Sequence, residues 1–184
     1  PEAEKGAKQT TRDALVDYLL KAQLADGGWA YGGETAEADM TAIVLQALVP
    51  YVAEDAKTAR EKAVAKAVDS ALECLSKMQT PTGGFTSGGS VTPESAAQVV
   101  VALTALGIDP QTDARFVKNG VNALDSLCSF YAEGGGFRHT MRGERDELAT
   151  TQGYYALAAY WRMTQEKTPL YDMSDLDESA QKAA

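Results

Sequence analysis

Apolar residues recur along this chain at helical intervals, in two alternating styles. In the first style they form one stripe. Val16 and Leu19, Leu72 and Leu75, and Leu124 and Leu127 are each spaced to share a helical face. Charged residues fill the other positions: Arg12, Asp17 and Lys21, then Lys57 through Lys77, then Arg115, Lys118 and Asp125. In the second style the segments are apolar almost all round, as in Ile43, Val44, Ala47 and Leu48, in Val99, Val100, Leu103 and Leu106, and in Tyr154, Leu157, Ala158 and Trp161. No basic residue occurs over 36–53, 93–108 or 147–161. A one-sided stripe belongs to a solvated helix, and a helix apolar all round is buried on most sides. The pattern predicts helices near 9–24, 36–53, 57–79, 93–106, 113–132 and 146–165, with a short seventh starting after Ser174. Period-two alternation is lacking, so little or no sheet is expected. Outer helices alternating with inner ones make two concentric layers of helix hairpins.

The turns between outer and inner helices repeat. Gln23-Leu24-Ala25-Asp26-Gly27-Gly28-Trp29 aligns without gaps with Gln79-Thr80-Pro81-Thr82-Gly83-Gly84-Phe85 and with Tyr131-Ala132-Glu133-Gly134-Gly135-Gly136-Phe137. Gly27 and Gly83 are 56 positions apart, and Gly83 and Gly135 are 52 apart. This reads as one domain over 1–184, built of three repeats near 9–53, 57–106 and 113–165 with a tail over 166–184. The fourth helix has clear punctuation: Thr92 suits an N-cap, Pro93 the first helical position, and Gly107 and Pro110 the stop.

The Gln-x-x-x-Gly-x-Trp spacing of Gln23, Gly27 and Trp29 resembles the QW motif of squalene and oxidosqualene cyclases. Gln79, Gly83 and Phe85 repeat it with Phe for Trp, and Tyr131, Gly135 and Phe137 with Tyr for Gln. The stretches Thr92–Gln98 and Leu170–Asp175 are similar to bacterial proteins with prenyltransferase and squalene oxidase repeats, often Gram-positive surface or secreted proteins. The resemblance runs from Ala14 to Asp175. It implies an all-α fold of the terpenoid cyclase and protein prenyltransferase superfamily: α/α toroid-type hairpins, with about six helices forming a partial toroid. It also implies a place outside the cell, at the surface of a Gram-positive bacterium. Within the motif, the glutamine amide is expected to bond backbone groups of the next inner helix. The glycines are expected to allow a tight reversal, and Trp29, Phe85 and Phe137 to cover the joints between hairpins as structural residues.

Charge and cysteine usage narrow the chemistry. Lys+Arg is 17 and Asp+Glu is 26, a net charge of −9, and no basic patch stands out, so nucleic acid is not an expected partner. No apolar run is long enough to span a bilayer. Cys74 and Cys128 read as small buried hydrophobes. Pro1 is not an initiator Met, so the chain is expected to be processed, excised or engineered, with any secretion signal outside view. The superfamily's chemistries leave little trace. The string closest to a cyclase Asp-x-Asp-Asp acid motif is Asp175-Leu176-Asp177-Glu178, which reads as a solvated acidic helix start. A single histidine, His139, and two scattered cysteines do not make a catalytic zinc set, so neither a metal nor another cofactor is expected. The thioester string Gly-Cys-Gly-Glu-Gln does not occur.

In this superfamily ligands sit at the barrel mouth, near the N-terminal ends of inner helices. Here that region offers Tyr31, Glu37, Asp39, Thr41, Glu94, Gln98, Arg138, His139, Arg142, Glu147 and Gln152. Asp39, Glu94 and Glu147 also suit helix starts as dipole partners. Gln98 and Gln152 also suit interhelical struts, and the Arg138–Arg145 loop suits a surface ion-pair loop. No catalytic residue is assigned. The expected function is a non-catalytic binding or interaction module with an unidentified ligand or protein partner. The rival readings are a fragment of a cyclase- or prenyltransferase-like enzyme and a cobalamin-carrier-like holder of a bulky small molecule. An arc of three hairpins has two open ends, so a homodimer, or packing against further helices of a parent protein, is also expected.

Overall fold

A computed structural model describes residues 10–172 together with Ser174 and Asp175. It contains six α-helices: α1 (Arg12–Lys21), α2 (Ala38–Leu48), α3 (Ala59–Met78), α4 (Pro93–Ala105), α5 (Ala123–Ser129) and α6 (Glu147–Thr164). The inner row runs α2–α4–α6, with α4 packed on both neighbours. Outside it, α3 packs on α1 and α2, and α5 packs on α4. Every residue of α4 except Gln98 and Ala105 is buried, as its all-round apolar sequence requires. The core is continuous from Val16 and Trp29 through Leu72, Phe85 and Leu103 to Phe116, Phe130 and Phe137.

Each prominent helix start has a local cause. Thr92 caps α4 by accepting from the Ser95 amide, with Pro93 at the first turn. Thr58 and Glu61 form a capping box on α3. Asn122 and Asp125 form another on α5, and Asp146 caps α6. Gly107, at φ +71°, terminates the α4 segment. At the other end of α2, Pro50 sits in a single 3-10 turn, Val49–Tyr51, so the helix is shorter than its apolar pattern.

Sheet is as scarce as expected and is confined to three short antiparallel ribbons: β1 (Phe85–Ser87) with β2 (Ser90–Thr92), β3 (Val117–Lys118) with β4 (Val121–Asn122), and β5 (Phe137–Arg138) with β6 (Arg145–Asp146). Strands of two or three residues are too short to produce a period-two signal. Their turns, however, are written in the sequence. Gly88-Gly89 and Asn119-Gly120 both take positive φ, the geometry of a two-residue hairpin. The Asn119-Gly120 hairpin explains why the fifth helix begins at Ala123 and not near residue 113. Each ribbon ends in the N-cap of the following helix: Thr92, Asn122 or Asp146.

The motif glutamines bind differently from the expectation. Gln23 Nε2 donates to the Gly27 carbonyl of its own turn and to the Ala67 carbonyl of α3. Gln79 Nε2 donates to the Gly83 carbonyl and to the Phe116 carbonyl that precedes α5. Both therefore reach the next outer segment and not an inner helix, because the end of an outer helix lies beside its outer neighbour. A Cβ on Gly27 would sit 2.7 Å from the Ser70 carbonyl oxygen, and one on Gly83 would sit 2.4 Å from that of Asn122. Glycine is required at both joints for closeness as well as for its positive φ. Among the described residues no outer helix follows the third motif. There Tyr131 and Tyr154 set their rings edge-on against Phe137, and the Tyr154 hydroxyl accepts the Gly136 amide at 3.1 Å.

Other sequence readings change as well. Cys128 is exposed while Cys74 is buried, because Leu124 and Leu127 carry the inward face of the short α5. The α6 helix is not buried on most sides: Leu148, Tyr154 and Trp161 are all exposed, since only α4 flanks it in the inner row. Asp175 is not simply solvated. Buried Arg162 donates to its carboxylate and to the Thr168 carbonyl, folding the tail back. Leu170 then packs on the core, and Pro169–Asp172 share a cavity of about 150 Å³ with Gln46, Val49 and Val101. The expected seventh helix and residues 176–178 of the acidic string lie outside the described residues.

Trp29 is 3% exposed, and its indole N–H donates to the Leu19 carbonyl at 2.8 Å. Truncating it removes both the packing and this tie to α1. Trp29→Ala is expected to cost about 3–5 kcal/mol of stability, measured by denaturant unfolding. An unchanged midpoint would show that the motif aromatic does not hold the joint.

Candidate functional site

The N-terminal ends of α2, α4 and α6 converge on a cavity of about 290 Å³. Its walls bring together Asp39, Glu94, Gln98, His139 and Gln152, with Ile43 and Leu148 as apolar sides. Five residues proposed from sequence therefore meet in one place. The others do not line it. Tyr31 is 91% exposed on the α1–α2 connection, where its amide donates to Glu37. Thr41 is buried and bonds the Trp29 backbone, so it braces the first motif. Arg138 donates to the Tyr131 carbonyl, and Arg142 and Glu147 are exposed. Of the basic residues in the Arg138–Arg145 loop, only His139 forms an ion pair among the described residues. The loop is therefore not an ion-pair cluster.

His139 follows β5 and reaches across to α4, where its Nδ1 lies 2.9 Å from Glu94 Oε1. The ring is largely exposed, while Glu94 is buried. The hydrogen bond and charge of Glu94 hold the imidazole's pKa above its ordinary value, with a smaller contribution from Asp146. The second Glu94 oxygen, Oε2, is buried without a partner, and so is Asp39 Oδ1. Most buried polar atoms are paired, so two orphaned carboxylate oxygens at one cavity are an exception that calls for a cause.

Below the carboxylates, a row of amides links the inner helices. Gln46 Nε2 donates to Gln98 Oε1 at 3.1 Å, and Gln98 Nε2 donates to Gln152 Oε1 at 3.2 Å and to the Tyr155 hydroxyl. Burial pushes the Tyr155 phenol well above its ordinary pKa, helped by nearby Tyr171 and Asp39. Gln46 and Tyr155 were not singled out from sequence. The usable signal was an amide on a helix otherwise apolar all round. Ile43 aligns with Gln98, and Gln46 supplies the α2 amide one turn later.

Zinc, which the resemblance brings into consideration, does not fit. Among the described residues no three His, Cys, Asp or Glu side chains are placed to hold a metal ion. Cys74 lies beside the Met78 sulfur on α3, Cys128 is on the exposed side of α5, and His139 is engaged with Glu94. No helix among the described residues is long and apolar enough to cross a membrane.

Comparison with known families finds the prenyltransferase alpha-alpha toroid domain, matched over residues 3–108 and again over 63–181. Two overlapping matches to one profile are what an internally repeated chain produces. No curated protein matches significantly, and no solved structure does.

The single histidine makes the site's titration directly observable. Because its folded pKa is raised, the pair stabilises the fold fully below the ordinary imidazole value, and that stability is lost as pH rises through the raised value. NMR titration is expected to place His139 above its ordinary value, and Glu94→Gln to return it toward that value. A histidine titrating at or below its ordinary value in the unmodified chain would mean that the pair does not form in solution.

Proposed function

The chain belongs to the prenyltransferase alpha-alpha toroid domain family, and from that premise we propose that it is a non-catalytic binding module whose ligand enters the mouth cavity. The observation that carries this reading is the pair of orphaned carboxylate oxygens, Asp39 Oδ1 and Glu94 Oε2, on neighbouring inner helices at one cavity. A fold that buries acceptors without partners loses roughly 1–3 kcal/mol for each, and a ligand donor would offset that cost. The amide row beneath them keeps the three inner helices in register and so presets the cavity's shape.

The size of the cavity favours a small ligand or a single side chain. About 290 Å³ lies at the lower limit of ordinary ligand pockets, and a neighbouring cavity of about 630 Å³ shares Ser87, Thr92 and His139 with it. The cavity walls offer two carboxylates and one imidazole, and the sequence has no Asp-x-Asp-Asp string, so a binding role is favoured over a cyclase fragment. Similarity of the repeats to bacterial surface proteins supports a place outside a Gram-positive cell. The exposed Tyr154 and Trp161 on α6 support a contact there with a second copy, or with further helices of a parent chain.

A fragment screen followed by amide and side-chain NMR shifts tests this reading without assuming a ligand. Hits are expected to perturb Asp39, Gln98, His139 and Gln152 together. Hits confined to other surfaces, or turnover of an allylic diphosphate or of squalene by the purified chain, would overturn it.

A further inference from the structure

We propose that the mouth cavity is a receptor for a primary alkylammonium group, presented either by a free aliphatic amine or by a lysine side chain. This rests on the binding-module reading of the same cavity and adds the chemistry of the occupant.

Charge comes first. The lining contains two carboxylates, Asp39 and Glu94, and no lysine or arginine. Among the described lining residues only His139 can carry positive charge, and it meets Glu94 through Oε1. Glu94 is 9% exposed, and its Oε2 has no donor. Asp39 Oδ1 is in the same condition. Both free atoms accept hydrogen bonds and carry negative charge, so the complementary ligand is a donor with positive charge. An anion or a purely apolar ligand would leave both atoms unsatisfied and, in the first case, repelled.

A metal ion meets the charge requirement but not the coordination requirement, since Asp39, Glu94 and His139 are not placed to hold one as a set and His139 is engaged with Glu94. An ammonium needs no such set. It is a compact point charge with three donors, and two carboxylate oxygens on separate helices are suitable partners for it.

Beside the polar Ser87, Thr92, Gln98 and Gln152, two apolar residues of the lining suit an aliphatic stem. Ile43 on α2 is 43% exposed and Leu148 on α6 is 60% exposed, and both line the cavity. Both are large apolar side chains left partly in water at the wall of an otherwise polar cavity. An aliphatic chain of four or five carbons behind the ammonium would cover them and remove apolar surface from water.

Calorimetric titration of the full chain with pentylamine tests the proposal, with 1-pentanol as the neutral isostere and Nα-acetyl-lysine amide as the side-chain form. Pentylamine is expected to bind in the millimolar range or tighter, and 1-pentanol far more weakly. Asp39→Asn and Glu94→Gln should each weaken pentylamine by about tenfold or more while keeping a native melting transition. Should either variant fail to fold, competition in the unmodified chain replaces it: pentylamine must displace cavity-directed fragments and shift the His139 ring resonances. Binding of the lysine amide as well assigns the site to protein lysines, and its failure beside pentylamine assigns it to free amines. Equal binding of pentanol and pentylamine, or no binding of either amine, overturns the proposal. If uncharged fragments still enter the cavity in that case, the binding-module reading stands and only the ammonium assignment falls.

Discussion

The joint between one repeat and the next depends on a single amide group. Gln23 and Gln79 each spend both hydrogens of Nε2, one on a carbonyl of their own glycine turn and one on a carbonyl of the next outer segment. That double donation fixes the end of one outer helix against its neighbour, and the neighbour's inner helix follows through its ribbon. The glycines at 27 and 83 are the steric condition for it, because a side chain there would collide with the neighbouring backbone. The aromatic at the end of each motif then seals the joint from inside. In the third motif Tyr131 replaces the glutamine, and the turn is closed by Tyr131, Tyr154 and Arg138 of the same repeat.

The site depends on this geometry. Hairpins locked side by side point the N-termini of α2, α4 and α6 at one mouth, and α4 is central to the inner row. Thr92 starts α4 at the position that puts Glu94 in its first turn, and β5 delivers His139 to the same place. The glutamine row Gln46–Gln98–Gln152 sits one to two turns deeper and holds the three helices at a common depth. The lower part of the inner face is covered differently, by the returning tail that Arg162 anchors through Thr168 and Asp175.

Much of this was legible in the residues. The alternation of charged and uncharged helices separates the layers, and the repeated glycine turns count the hairpins. Asp39, Glu94, Gln98, His139 and Gln152 follow from placing ligands at inner-helix starts. What was not legible has physical reasons. The ribbons are too short for periodicity, although Asn119-Gly120 announced one of them. The direction of the glutamine bonds depends on which neighbour lies beside a helix end, a tertiary fact. Gln46 was hidden because its alignment partner is offset by one turn, and the tail's return rests on a buried arginine that the helical pattern does not mark.

The most direct measurement of the glutamine joint is calorimetric unfolding of Gln79→Met. The substitution keeps volume close to native and removes the two donations together with the buried, unpartnered Oε1. Gly83 and Phe116 carbonyls are then left in a buried setting, at a cost of roughly 1–3 kcal/mol. The expected result is one cooperative transition at clearly lower temperature. A melting temperature equal to that of the unmodified chain would contradict the view that this amide holds the repeats together.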